Sequence, residues 1–164
     1  MKNVMFTGYR PKKFRFELKK GNIYYDELIN NLNKELFKIL EADEDTTFYC
    51  GGAMGFDIIA AEEVLKLKES FKNLKLCVVV PFKNQSGSFY YDWQKRYNAL
   101  LDKADEIIIL SENYFSGCYF VRNKKMVDLS SSVITFYDGQ GGGTKQTLDY
   151  AAKKGLEIIN LYNE

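Results

Sequence analysis

Apolar and polar positions follow two rhythms along the chain. In one, short apolar runs end at glycine, proline or a polar turn: "NVMFTG", "TTFYCG", "LKLCVVVP", "DEIIILS", "SVITFYD" and "LEIINLY". Runs of this length bounded by turn residues are strand signals, and near-continuous apolarity is expected of strands buried on both faces. In the other rhythm, apolar residues recur every three or four positions. Leu28, Leu32, Leu36, Ile39 and Leu40 do so within "YYDELINNLNKELFKILEAD". Ile58, Ala61, Val64 (or Leu65) and Lys68 trace the turns of "GFDIIAAEEVLKLKESF", and Trp93, Tyr97 and Leu100 share one side of "YYDWQKRYNALLDKA". "CYFVRNKKMVDLS" predicts a shorter helix, and "GQGGGTKQTLDYAAKKG" a glycine-rich turn running into a helix that Gly155 closes.

Strands and helices therefore alternate through six strands. This order predicts a single α/β domain over residues 1–164: a three-layer, Rossmann-like fold with a mainly parallel six-stranded sheet and helices on both faces. The one long irregular connection runs from Pro11 to Tyr25 and carries Lys12, Lys13, Arg15, Lys19 and Lys20. A loop of that length is more often functional or mobile than inert. Edge strands of such sheets also make a homo-oligomer possible.

In open parallel sheets, ligands bind beyond the carboxyl ends of the strands. Those ends read "TGYRP", "GGAMGFD", "PFKNQ", "SENYFSG" and "YDGQGGGT". Two of them are glycine-rich turns that lead straight into a helix, which leaves backbone N–H groups free for an anion such as phosphate. Neither is a dinucleotide fingerprint or a P-loop. Together they predict a phosphate-bearing ligand held by Gly51, Gly52, Ala53, Met54 and Gly55 on one side and Gly141, Gly142, Gly143 and Thr144 on the other. Gly8 and Tyr9 flank the first strand end, and Arg10 is a candidate bidentate phosphate donor. Asp57, in the first turn of its helix, is a candidate acceptor for a ribose or base and otherwise a helix-dipole residue. Pro81, Phe82 and Gln85 are placed to wall the base or read its polar edges, with Tyr9 and Trp93 as further candidate walls. Arg122 and Asn123 are read as equally compatible with a solvated position, and Glu62 and Glu63 as solvated helix residues.

Composition narrows the chemistry. The chain has no histidine and three scattered cysteines among 164 residues, so neither a zinc site nor histidine-based acid–base catalysis is expected. No cofactor or metal is predicted. The odd cysteine count and the lack of a readable secretory leader point to a reducing cytoplasm. No apolar run approaches the ~18 residues that a membrane span needs. A net charge of +1, from 23 basic and 22 acidic residues, gives no general drive toward nucleic acid.

The set "TGYRP", "GGAMGFDIIAAEEVLKLK", "PFKNQ" followed by a tryptophan and "RYNALLDKAD", "FVRNKKMVDLSSSVI" and "YDGQGGGTKQTLDYA" resembles the YpsA-like family of the SLOG superfamily (named for its Smf/DprA and LOG members), from about Met1 to Leu161. The resemblance implies a Rossmann-like fold that binds nucleotides or nucleotide-derived small molecules at its glycine-rich rim. It implies no settled activity: relatives include single-stranded DNA binders, phosphoribohydrolases and nucleotide sensors. The LOG-type enzymes carry P-G-G-x-G-T-x-E-E. If Gly143 and Thr144 take the places of that G-T, the two glutamate positions hold Gln146 and Thr147. Neither supplies a carboxylate general base. Asp57 remains the best candidate for any catalytic carboxylate. The expected function is nucleotide binding or sensing, with N-glycosidic hydrolysis as the alternative. Single-stranded DNA binding is a second alternative, through the tyrosines and the basic segment after Pro11.

Overall fold

The computed structural model describes residues 2–163, and it realises the alternation as six strands and five helices: β1 Lys2–Gly8, α1 Ile23–Ala42, β2 Thr46–Cys50, α2 Phe56–Leu67, β3 Lys75–Val80, α3 Tyr91–Lys103, β4 Glu106–Ile109, α4 Cys118–Leu129, β5 Ser132–Phe136, α5 Gly143–Lys153 and β6 Glu157–Asn160. The sheet has the order β4-β3-β2-β1-β5-β6 and every pairing is parallel. No helix among the described residues is long and apolar enough to cross a membrane.

Period-two alternation divides the core in two. Val4 and Phe6 of β1 face one side with α1, α2 and α3, while Met5 faces the other with α4 and α5. The first three crossovers run along one face and one direction. The chain then passes from β4 back across the sheet and lays β5 on the free side of β1. Strand order reverses between β1 and β5, which is where open parallel sheets leave a crevice at their carboxyl ends. The outer strands carry apolar residues that nothing covers: Ile107 and Ile109 on β4 and Ile158 on β6 are exposed.

The helix signals have local causes. Asn22 caps α1, its Oδ1 accepting from the N–H groups of Tyr24 and Tyr25 at 3.0 and 3.3 Å. The five leucine and isoleucine positions read from the sequence are the buried residues of α1. α2 lies between its two neighbours and the sheet, so it is buried almost all round and carries Asp57 and Glu63 inward with it. Glu63 is held by Asn33 Nδ2 at 3.1 Å and Lys66 Nζ at 2.7 Å, and Glu62 pairs with Arg96 at 2.5 Å. The solvated position expected for Glu63 is corrected, because that residue is buried on α2, whereas the Glu62 side chain keeps 30% exposure while it pairs with Arg96.

The long basic connection is neither free nor featureless. Pro11–Lys13 form a short 3-10 turn. Phe14 and Phe16 then pack edge-on at 5.5 Å, and Phe14 meets Phe136 tilted at 5.3 Å and Tyr9 edge-on at 6.0 Å. The Tyr9 hydroxyl ties this strap to the turn after β5. It donates to Asp138 Oδ1 at 2.8 Å and accepts from the N–H groups of Asp138 and Gln140 at 3.2 and 3.0 Å. Arg15 Nε reaches Asp138 Oδ2 at 3.0 Å, and Gln140 Nε2 donates to the Lys13 carbonyl at 2.8 Å.

Tyr9→Phe leaves two backbone N–H groups without an acceptor, so urea unfolding is expected to show a loss of ~1–3 kcal/mol. Burial alone would raise the Asp138 carboxyl. Hydrogen bonds from Tyr9 and Gln140 and the Arg15 charge outweigh it and hold the group below its ordinary 3.8. A depressed folded pKa stabilises above the unfolded value and is lost as pH falls through the folded one. Asp138→Asn is therefore expected to be less stable than the parent at pH 7, with the gap closing below pH 3.8 in paired urea titrations.

Candidate functional site

A cavity of about 690 Å3 opens over the carboxyl ends of β1, β2 and β5. Its walls come from the turn after β1, the start of α2, one side of α4 and the first turn of α5. Four cationic residues line it: Arg10, Lys12, Lys13 and Arg122. Asp57 is its one carboxylate among the described residues.

Arg122 organises the floor. It projects from α4 and is only 3% exposed. Its Nη1 donates to the Gly51 carbonyl at 2.5 Å and to Gln85 Oε1 at 3.3 Å, and its Nε donates to Asn123 Oδ1 at 2.8 Å. Gln85, fully buried, donates to the same Gly51 carbonyl at 3.1 Å and to the Tyr97 hydroxyl at 3.3 Å. Asn123 Nδ2 continues to Thr147 Oγ1 at 2.9 Å, and Thr147 donates to the Gly143 carbonyl at 3.0 Å. One hydrogen-bonded chain thus runs from the end of β2 through α4 to the first turn of α5. Burial lowers the Arg122 pKa, while the Asp57 charge raises it. A guanidinium nevertheless stays protonated in a protein.

Asp57 is buried at 5% exposure. Burial pushes its carboxyl above the ordinary value, against the pull of the Arg122 charge, the Ala53 N–H, the Arg10 charge and the Gly51 N–H. No ion pair within 4 Å joins Asp57 to Arg122 among the described residues. The backbone N–H groups after β2 therefore already face a carboxylate of the chain itself.

This separates the two glycine turns. A methyl group at Gly51 would lie 2.4 Å from the Arg122 guanidinium carbon. One at Gly52 would lie 2.7 Å from the Tyr97 ring, and one at Gly55 would lie 2.5 Å from the Tyr9 carbonyl; both residues also have positive φ. Internal packing accounts for all three. Gly141 and Gly143 meet nothing within 4 Å, and Gly142 has φ +129° beside the Lys13 ammonium, which donates to the Gly141 carbonyl. The turn after β5 is the open one. In α5 the first N–H bonded back into the turn is that of Gln146, to the Gly142 carbonyl at 3.0 Å. The N–H groups ahead of it lack intrahelical partners, as at any helix start.

Gly8, Tyr9, Arg10, Ala53, Met54, Asp57, Gly143 and Thr144 line the cavity together. Gly51, Gly52, Gly55 and Gln85 lie behind its wall as supports rather than on its surface. Gly141 and Gly142 are exposed beside it, and Pro81 is buried away from it. Phe82 packs edge-on against Tyr114 at 5.5 Å and Tyr119 at 6.1 Å, and it is Tyr119 that faces the cavity. Trp93 stands outside, with Arg96 stacked 4.2 Å from its ring. Tyr9 is too buried, at 2% exposure, to offer a ring face for stacking. Gln146 is exposed and Thr147 is fully buried, and neither lines the cavity.

The residues that the sequence reading underweights are Arg122, Asn123 and Tyr119. Arg122 is not solvated. A signal was present: Cys118, Arg122 and Met126 follow each other at intervals of four, and all three are buried on one stripe of α4. Tyr119 carries the exposed Arg10, whose guanidinium carbon lies 4.8 Å from the ring centre. The three cysteines are buried and unpaired, and burial raises the Cys77 thiol to about 12, out of reach of ordinary thiolate chemistry. A second hollow of about 370 Å3 lies beyond Tyr9, lined by Phe16, Tyr24, Phe136 and Tyr162. Its arginine, Arg15, is already spent on Asp138.

Gly51→Ala is expected to displace Arg122 and to cost ~2 kcal/mol or more as a clash in a packed interior. Gly141→Ala is expected to fall within ±0.5 kcal/mol, as for an open surface site. Thermal unfolding of the two variants in parallel checks the contrast.

Comparison with known proteins gives the family and supports the fold. The model of the YspA SLOG family matches residues 4–161, and the chain belongs to that family. A UPF0398 protein of Bacillus thuringiensis (strain Al Hakam) is 27% identical over 165 residues, spanning 99% of this chain and 89% of the relative. A UPF0398 protein of Bacillus cereus (strain B4264) is 28% identical over 166 residues with the same spans. Among solved structures, DNA processing protein A from Helicobacter pylori, studied for its single-stranded DNA binding mode, superposes with TM-score 0.67 at 21% identity. That match covers 99% of this chain and 66% of the other. DNA processing protein A (DprA) from Streptococcus pneumoniae gives TM-score 0.63 at 17% identity, covering 97% of this chain and 50% of the other. The chain thus spans about two-thirds and one-half of those proteins, and at these identities the likeness is one of fold.

Proposed function

We propose that this SLOG-family chain binds a nucleotide or nucleotide-derived small molecule in the cavity over β1, β2 and β5, as a sensing or regulatory protein. The observation that carries the reading is the pairing of an open helix start with a cationic wall. The first turn of α5 faces a cavity lined by Arg10, Lys12, Lys13 and Arg122, and that cavity sits where strand order reverses. A phosphate at Gly143 and Thr144 gains backbone N–H donors and the positive end of the helix. The turn after β2 contributes shape rather than anion binding, because Gly51, Gly52 and Gly55 are packed against Arg122, Tyr97 and the Tyr9 carbonyl.

The donor set favours binding without turnover. Among the described residues Asp57 is the one carboxylate on the cavity wall, which it shares with the buried Arg122 guanidinium. Gln146 and Thr147 stand where the resemblance to LOG enzymes expects glutamates, and neither reaches the cavity. The sequence alternative of a single-stranded DNA partner draws on the basic strap. There Lys13 and Arg15 are committed to Gly141 and Asp138, which leaves Lys12, Lys19 and Lys20 exposed.

Thermal-shift measurements against mono- and dinucleotides, ADP-ribose, NAD and cyclic nucleotides, followed by chromatography for released base, test the reading. A ligand at ~100 times its Kd is expected to stabilise by about 2.7 kcal/mol without releasing base. Arg10→Ala is expected to weaken that ligand by ~1.5–3 kcal/mol in calorimetry, the range for a charged hydrogen-bond donor. Released base would turn the reading toward N-glycosidic hydrolysis. A response to oligonucleotides alone would overturn it in favour of single-stranded DNA.

A further inference from the structure

Resting on that reading of the cavity, the geometry points to a ligand with a free ribose cis-diol: we infer that Asp57 and Arg122 together grip vicinal hydroxyls, so that the site selects ribonucleotides over deoxyribonucleotides.

Two observations carry this. Arg122 is 97% buried, given its 3% exposure, and yet its hydrogen bonds use only Nε and Nη1. Its Nη2 forms none with the described residues, although the side chain lines the cavity. Nη2 is not among the fully enclosed polar atoms left without a partner, so it opens onto the cavity, where a ligand acceptor can meet it. Second, Asp57 shares this cavity floor, is 5% exposed, and does not close an ion pair with Arg122 within 4 Å. The cavity wall therefore offers a guanidinium donor and a carboxylate acceptor that do not close on each other.

Such a pair selects its partner by chemistry. A phosphate suits Arg122 but is repelled by Asp57. An ammonium suits Asp57 but is repelled by Arg122. A hydroxyl both donates and accepts, and two adjacent hydroxyls satisfy both groups at once. In a nucleotide that unit is the 2′,3′-diol of ribose. It lies a few bonds from the 5′-phosphate, which the reading above seats at α5. The supports are rigid: Gly51, Gln85 and Asn123 fix the guanidinium plane, and the α2 helix start fixes Asp57. A site built on buried polar groups rejects an analogue lacking a hydroxyl, because the groups are left unpaired.

The test compares AMP, ADP, ATP and GDP with their 2′-deoxy and 3′-deoxy counterparts by calorimetry on the full chain, with Asp57→Asn as the second protein. For whichever ribonucleotide binds, the parent protein is expected to hold the deoxy counterpart at least tenfold more weakly. Asp57→Asn is expected to lose at least tenfold for the ribonucleotide while its affinity for the deoxy counterpart changes less than twofold. Equal affinity of the parent for ribo and deoxy forms overturns the diol assignment and leaves nucleotide binding standing. Failure of every nucleotide to bind overturns the underlying reading and this inference with it. The parent comparison decides the matter even if Asp57→Asn does not fold.

Discussion

The contact on which the rest of the site depends is the one between the Arg122 guanidinium and the Gly51 carbonyl. It joins α4, on one face of the sheet, to the end of β2, next to the helix that packs on the opposite face. A buried cation needs acceptors on every side that water cannot reach. Gly51, Gln85 and Asn123 supply three of them, and the space they occupy dictates the residues around them. Gly51 has no side chain because the guanidinium lies where its Cβ would be. Gln85 is drawn out of its loop and fully buried. Asn123 passes the constraint on to Thr147 and so to the first turn of α5. The opening of the cavity toward α5 and its polar floor are thus two ends of one hydrogen-bonded chain.

A second constraint is set on the other side by Tyr9. Its hydroxyl meets three partners on the turn after β5, and its ring seats the aromatic residues of the strap. The strap is therefore a wall rather than a loose basic arm. Rigidity here suits binding, since groups held in place before the ligand arrives lose less entropy when it does. Arg10, stacked on Tyr119 and exposed, is the cation best placed to move.

Element order, the parallel sheet and the side of the sheet bearing the site were legible in the sequence, because they depend on local rhythm and on one topological rule. Leu28, Leu32 and Leu36 announce α1 through spacing alone, and β3 announces itself as an unbroken apolar run. Half of the site was legible for the same reason: Gly8, Arg10, Asp57 and Thr144 sit at strand ends or helix starts. What the glycines do was not legible. "GGAMG" and "GQGGG" look alike in sequence, but one is closed by Arg122, Tyr97 and the Tyr9 carbonyl, and the other is largely open. That difference is made by residues far along the chain, 71 positions away in the case of Arg122 and Gly51. The hydroxyl network of Tyr9 was not legible either, because its partners lie 129 and 131 residues onward.

The central claim is that a nucleotide enters the cavity between Arg122 and the start of α5. Following backbone and arginine side-chain N–H signals by 15N NMR while ADP is titrated in tests it most directly. The account predicts that the largest shifts fall on Gly143, Thr144, Ala53 and the Arg122 side chain, with Tyr162 and other residues of the second hollow unmoved. Shifts concentrated around Phe16, Tyr24 and Tyr162, with Gly143 and Arg122 silent, would contradict it.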